Sequence, residues 1–434
     1  MINLEHLIYN NNVMNTYKKS VLSNKIPIIM IPVKGAKATT AMIVFKTGSK
    51  NENAANNGIS HFLEHMFFKG TKKRPSALAI SSEMDALGGE YNAFTGKEYT
   101  GYWFKIANNK LDKALDILSD MLFNSLFDSE EIDREKGVII EELNMYEDNP
   151  RMHIEDVFET CLYGDTPAGW ETIGTKENIR GFKRHDFINY LESQYGAQSV
   201  YVVMAGGIKT GDRQLAEKLF HTLKANKYVA RPAVVENQKV PQIKISHKKT
   251  DQAAMSLGVR AFPVGHPDEF KLKLLSVILG GSMSSRLFIN LRERNGLAYY
   301  VNTITEAYSD SGYLTTQAGV PAGKMEKAIG IILSEYKKIT KELVSAKELK
   351  RAKDMLQGRT LLQMEASDNL ANWYARQIIY RKDILTPNDM MKRIKAVTPE
   401  QIRELAKRLF VNKNLNLALI GNLKVEKIKP ILKF

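Results

Sequence analysis

Residues 187–208 read FINYLESQYGAQSVYVVMAGGI, and residues 401–423 read QIRELAKRLFVNKNLNLALIGNL. Each is a helical pattern followed by an apolar run: helix over 185–195 then strand over 200–205, and helix over 399–410 then strand over 415–420. The two closings are alike and lie roughly 210 residues apart, a period far too long for a solenoid repeat. Duplication of one α+β unit accounts for it.

The elements before each closing follow a similar order. In the first half, Ile-, Val- and Thr-rich strands cover 26–31 and 39–46, and a helix covers 58–69 with Gly70 as its C′ residue. A second helix spans 75–87, with proline in its first turn and Gly88–Gly89 after its end. Strands at 90–94 and 99–106 and an amphipathic helix at 111–123 follow. Asp128 and Glu131 then form a capping-box pattern for a helix reaching Tyr146. The second half has strands at 254–259, 298–306 and 313–318, helices at 269–279, 284–294 and 324–341, and one long helical stretch over 346–380. The expected fold is α+β: two related domains, 15–226 and 240–434, each a mostly antiparallel sheet with helices packed on one face. The join falls in the polar, proline-containing stretch 226–244.

Composition narrows the function. A chain with 44% hydrophobic and 25% charged residues has material for sizeable cores, so disorder is not expected. The net charge of +14 comes largely from scattered lysines, clustered only briefly as at Lys72–Lys73 and Lys248–Lys249. Such charge solvates faces, and neither a nucleic-acid nor a membrane partner is expected. The single cysteine, Cys161, excludes an intrachain disulfide framework and a multi-cysteine zinc site, and it reads as a small buried hydrophobe. Residues 1–12 lack a secretory or transit pattern, and the run 26–33 is interrupted by Pro27 and Pro32. A soluble, cytoplasmic protein is expected.

The chemistry concentrates at His61-Phe62-Leu63-Glu64-His65. Residues four apart share a helix face, so both imidazoles can point at one cation, with Glu64 on the same side. That pattern suits a metallopeptidase: zinc lowers the pKa of water toward 7, and a nearby carboxylate takes the proton as the water attacks a carbonyl. Two histidines leave zinc in need of a third protein ligand. The acidic helix downstream offers Glu135, Glu141 and Glu142. Glu135 and Glu142 are two turns apart on one face, whereas Glu141 is turned about 100° from Glu142. One of the pair would bind the metal and the other would orient a histidine; spacing alone does not say which.

The segments HFLEHMFFKGT (61–71), GGEYNAFTGKEYTGYW (88–103) and REKGVIIEELNMYEDNP (134–150) resemble the pitrilysin/insulinase/mitochondrial processing peptidase family, the inverzincins. The likeness runs from about Val21 to the C-terminus and is nearest the bacterial processing-peptidase-like branch. The resemblance implies one zinc ion per chain, held by His61, His65 and Glu142, with Glu64 as general base and Glu135 supporting a ligand. It implies that Asn92-Ala93-Phe94 form the strand whose edge pairs with peptide substrate. LRERNGLAYYV (291–301) resembles the segment whose arginine and tyrosine contact substrate, here Arg292 and Tyr299. Family members of this length form half of a clamshell, which implies a homodimer or a heterodimer with a paralogue, enclosing a chamber. Arg292 and Tyr299 would then serve the partner's zinc site.

Pro167-Ala168-Gly169-Trp170 departs from the commoner His-Pro-Leu-Gly type sequence, outside the metal set, and bears on substrate preference. GGSMSSRLF (280–288) lacks the long glycine-rich loop of non-catalytic processing-peptidase subunits. The expected function is therefore a zinc-dependent endopeptidase acting on peptides or unfolded polypeptide segments. The alternative, a catalytically silent scaffold or partner subunit of the same family, would be marked by loss of Glu64 or of a ligand, and all are present.

Overall fold

The computed structural model describes residues 17–226, 228–250 and 252–434. Residues 1–12 and the expected domain limit at 15 lie outside this set. The strands are β1 (Lys18–Val21), β2 (Pro27–Pro32), β3 (Ala38–Phe45), β4 (Glu90–Thr95), β5 (Thr100–Ala107), β6 (Val200–Gly206), β7 (Gln242–Ser246), β8 (Gln252–Arg260), β9 (Tyr300–Ala307), β10 (Gly312–Pro321) and β11 (Leu415–Ile420). They form two sheets, ordered β1-β2-β6-β3-β5-β4 and β7-β11-β8-β10-β9.

The duplication is explicit in this order. Apart from the extra edge strand β1, the sequence β2-β6-β3-β5-β4 corresponds strand for strand to β7-β11-β8-β10-β9. In each sheet the first of these pairs is parallel and the others are antiparallel. The two repeated closings thus supply β6 and β11 at equivalent places, and β4 and β9 are equivalent edges.

The compact units interleave along the chain, unlike the contiguous ranges 15–226 and 240–434 expected from the sequence. The first contains the described residues through Ile140 with Thr172–Arg231 and Arg359–Asp389; the second contains Glu141–Glu171, Pro232–Gly358 and Met390–Phe434. The helix Ser367–Tyr380, encoded in the second half, packs on the first sheet. Its Leu370, Ala371, Tyr374 and Ile378 bury against Ile29, Met42, Val44 and Val203. The helix Pro150–Tyr163, encoded in the first half, packs in the second unit, where Ile154, Phe158 and Leu162 bury with Ala254, Tyr313 and Ile420. Each sheet therefore gains helical cover that hydrophobic periodicity, a local signal, does not assign to it. On the first sheet's other face lies Leu111–Asn124, against β3 and β5.

Local differences have local causes. The stretch 346–380 is two helices, Ala346–Met364 and Ser367–Tyr380, because Ala366 is extended (φ −89°, ψ 131°). Ser367 Oγ lies 2.8 Å from Thr40 Oγ1 of β3, so the second helix starts on the sheet. The expected helix over 284–294 includes a π-helical turn at Phe288–Arg294. The polar join contains β7, an edge strand whose half-exposed alternation disguised it. Asn149 before Pro150 is a helix start the sequence reading did not place; its side chain accepts from Arg151 N at 3.1 Å. Gly70 is not the helix's C′ residue, since the helix ends at Met66. Asp128 caps the helix Ser129–Asp148 by accepting from Glu130 N (2.9 Å) and Glu131 N (3.3 Å), while the Glu131 side chain pairs with Arg134. Cys161 is half-buried, and burial pushes its thiol up to about 11.

The helix Ile59–Met66, which carries both expected histidine ligands, is seated by a buried carboxylate. Glu52 accepts from Gly58 N (2.8 Å), Ser60 N (2.8 Å) and Asn57 Nδ2 (3.0 Å), meeting donors that a helix N-terminus leaves unbonded. Burial pushes Glu52 above the usual carboxylate range, against the pull of these bonds. Gly58 has φ 99°, and a Cβ there would meet Ile173 O at 2.6 Å, so the helix entry requires glycine. Removing Glu52 would leave buried donors unpaired. Glu52→Ala is expected to lower stability by on the order of 3 kcal/mol, read as a reduced midpoint in urea unfolding.

Candidate metal centre

The helix Ile59–Met66 buries one side and presents the other. Ile59, Ser60, Phe62, Leu63 and Met66 are buried, whereas His61, Glu64 and His65 are half-buried. Phe62 holds the buried side by edge-on contacts with Phe182 (5.9 Å) and Phe187 (5.0 Å). With that side committed to the core, the two imidazoles emerge together, ring centroids 4.7 Å apart.

The acidic helix Ser129–Asp148 is anchored by Ile132, Ile139 and Leu143, a buried stripe one to two turns apart. Glu135 and Glu142 are carried on this one continuous backbone. Glu135 Oε1 lies 2.8 Å from His65 Nδ1, and its Oε2 lies 2.5 Å from Lys69 Nζ. Burial pushes the Glu135 carboxyl up, but the imidazole and ammonium outweigh that and hold it below the usual range. An ionised carboxylate only accepts, so Nδ1 of His65 carries the hydrogen and Nε2 is the nitrogen left for a metal.

His61, His65 and Glu142 each offer a ligand atom, and these atoms all lie within 4.8 Å of one another. Zinc bonds of about 2.0–2.2 Å place tetrahedral donors about 3.4 Å apart, so small side-chain adjustments suffice. Two imidazoles and a carboxylate also match the donor set of catalytic zinc sites, and the residues present fit the ion. Glu141 points elsewhere: it is exposed and accepts from Asn144 Nδ2 at 3.4 Å. In this geometry Glu135 lies against His65 and Glu142 falls in the donor cluster.

Glu64 borders a cleft of about 280 Å³, also lined by His65, Tyr91, Asn92, Ala93 and Glu135. Asn92 and Ala93 lie on β4, the edge of the first sheet, which among the described residues pairs only with β5. On that strand Ala93 N donates to Asn92 Oδ1 at 2.8 Å. Phe94 turns away from the cleft and packs edge-on with Tyr99 at 5.5 Å. Glu64 Oε2 accepts from Thr95 Oγ1 at 2.5 Å. Thr95, Lys69 and Glu52 are not distinguished by sequence reasoning: a hydroxyl, a lysine and a pre-helical glutamate have no distinctive spacing, although Thr95 and Lys69 lie inside the quoted segments and Glu52 shortly before the first of them.

Arg292 and Tyr299 belong to the second unit and are together there. Arg292 Nη1 donates to Tyr299 O at 2.9 Å, and its guanidinium stacks over the Phe288 ring at 5.1 Å. Tyr299 is 70% exposed. The departing segment at Pro167–Trp170 is closed locally, with Gly169 O accepting from Thr160 Oγ1 (2.8 Å) and Trp170 Nε1 donating to Asp165 Oδ1 (2.6 Å). Among the described residues, no helix is long and apolar enough to cross a membrane.

Comparison with known proteins identifies the family and the fold. Residues 28–176 match the family described as Insulinase (Peptidase family M16), and residues 181–356 match Peptidase M16 inactive domain. The uncharacterized zinc protease YmxG of Bacillus subtilis is 34% identical over 93% of this chain and 98% of its own. An uncharacterized zinc protease of Streptomyces coelicolor is 31% identical, covering 96% and 92% respectively. Among solved structures, a protease from Helicobacter pylori superposes with a TM-score of 0.87 at 22% identity, covering 94% of this chain and 99% of its own. A Pseudomonas fluorescens structure, a peptidase M16 inactive domain, gives a TM-score of 0.86 at 17% identity, with the same coverage. These two establish likeness of fold.

Proposed function

The chain belongs to the insulinase-type M16 peptidase family, and on that premise we propose that it is a zinc-dependent endopeptidase acting on peptides or unfolded polypeptide segments. The observation that carries the reading is the convergence of His61, His65 and Glu142 donor atoms within 4.8 Å. His61, His65 and Glu142 would hold the ion. Bound there, zinc supplies Lewis acidity and lowers the pKa of water. Glu64, one residue before His65 and facing the cleft, takes the proton from the attacking water and returns it to the departing amine. Glu135 keeps the His65 ring oriented through Nδ1, and Lys69 balances the carboxylate's charge.

The β4 edge at Asn92-Ala93-Phe94 would receive an extended peptide as an added strand, so affinity comes mainly from backbone hydrogen bonds. Such a site discriminates little by side chain and suits unfolded segments. The silent-scaffold alternative is not favoured: the match described as inactive covers 181–356, and the Glu64 set lies in the other match, 28–176. The single cysteine fits a reducing, cytoplasmic setting, which we include in the proposal.

We further propose that the chain works as a dimer, with itself or a paralogue, in which Arg292 and Tyr299 of one subunit hold substrate carbonyls at the other subunit's zinc site. The exposure of Tyr299 and the bond from Arg292 to its backbone carbonyl, which keeps the two residues together, support this role.

Glu64→Gln is expected to retain zinc and to lose peptide cleavage by about 10²–10⁴-fold. Wild-type turnover in that variant would overturn the mechanism. Metal analysis should find much less zinc in Glu142→Gln than in Glu141→Gln, and the opposite ranking would reassign the ligand. Mixing Glu64→Gln chains with Arg292→Ala chains should restore part of the activity. An absence of rescue in isolated mixed dimers would exclude the shared site.

A further inference from the structure

We infer that Thr95 is a positioning residue for the general base, tying Glu64 to the strand edge that receives the peptide; this rests on the peptidase reading above. The Thr95 hydroxyl donates to Glu64 Oε2 at 2.5 Å, the short distance of a hydrogen bond to a charged oxygen. The terminal torsion of a glutamate is broad and soft, so a carboxylate facing an open cleft is not held by rotamer preference. A donor on one oxygen fixes the plane of the group and so the direction from which its other oxygen meets a water.

Thr95 is itself held in place. It ends β4 and leads into a tight turn closed by Gly96 N donating to Tyr99 O at 2.9 Å. That turn is clamped by the segment before the histidine helix: Ser49 N donates to Gly96 O (3.2 Å) and Lys50 N to Lys97 O (2.8 Å). A buried ion pair, Lys50 Nζ to Glu98 Oε1 at 2.7 Å, reinforces it, and Arg231 Nη1 donates to Glu98 O at 2.9 Å. The approach is so close that a Cβ on Gly48 would fall 2.1 Å from Gly96 O. Phe94, the residue before Thr95, is half-buried and packs against the core of the first sheet. The hydroxyl therefore presents a fixed point to Glu64.

The consequence is geometric. A peptide added along Asn92-Ala93-Phe94 takes its register from β4, and the base is bonded to the next residue of the same strand. One strand thus sets both the position of the scissile carbonyl and the orientation of the group that activates the water. Misplacement by about 1 Å at such a point costs on the order of 10²-fold in rate, and loss of one of several restraints costs less.

The test compares zinc-loaded Thr95→Val, Thr95→Ser, Glu64→Gln and the double variant Glu64→Gln/Thr95→Val, on an extended quenched-fluorescent peptide. Valine keeps the shape and removes the hydroxyl; serine keeps the hydroxyl. Expected for Thr95→Val is a fall in kcat of about tenfold with KM, zinc content and unfolding midpoint unchanged. Thr95→Ser should recover most of the rate, and Thr95→Val should change nothing further in the Glu64→Gln background. If Glu64→Gln cleaves normally, the peptidase reading itself fails. If Glu64→Gln is inactive while Thr95→Val turns over as wild type, or raises KM alone, the positioning role is overturned. Loss of zinc or of folding in Thr95→Val that serine does not rescue would assign Thr95 a merely structural part and equally overturn it.

Discussion

The hydrogen bond between His65 Nδ1 and the Glu135 carboxylate joins two helices that begin 70 residues apart, and the site depends on it. It engages Nδ1 and so leaves Nε2 as the ring nitrogen for a metal, and it ties the acidic helix to the histidine helix. Once Glu135 is against His65, a residue two turns later on the same face is carried toward both histidines, and that residue is Glu142. Lys69 keeps the arrangement electrically balanced, since an ionised carboxylate that is 4% exposed requires compensation.

The chain's single cysteine allows no intrachain disulfide, so noncovalent contacts hold the surroundings of that bond. Buried polar groups do the holding: Glu52 under the start of the histidine helix, and the Lys50–Glu98 pair behind the β4–β5 turn. Such groups are costly to bury unless satisfied, so each fixes its surroundings in one arrangement. The open face of the site is the edge of a sheet, where backbone donors and acceptors are available to another chain. The same physics that makes an exposed edge hazardous makes it suited to gripping peptides of varied sequence.

Much of this was legible in the chain. The helical spacing of His61 and His65, the shared face of Glu135 and Glu142, and the repeated helix–strand closings at 187–208 and 401–423 are local periodic signals, and the structure contains the elements they describe. Where reading failed, the deciding forces were not periodic. The break at Ala366 gives a helix start on β3, a long-range contact, whereas the residues on either side favour helix alike. β7 carries little apolar signal because an edge strand can be polar, and the Pro150 helix is marked locally only by its Asn149-Pro150 start.

By itself the sequence determined the α+β duplication, the family, and the residue types able to bind zinc and move a proton, because these rest on spacings of a few residues along one helix or on repetition of a whole unit. The tertiary structure alone decided that Ser367–Tyr380 covers the first sheet and Pro150–Tyr163 the second. It alone decided which glutamate meets His65, and that Thr95 reaches Glu64. Those outcomes depend on which apolar faces and unpaired donors find one another across tens to hundreds of residues. Burial and hydrogen-bond satisfaction govern that choice, and no local pattern encodes it.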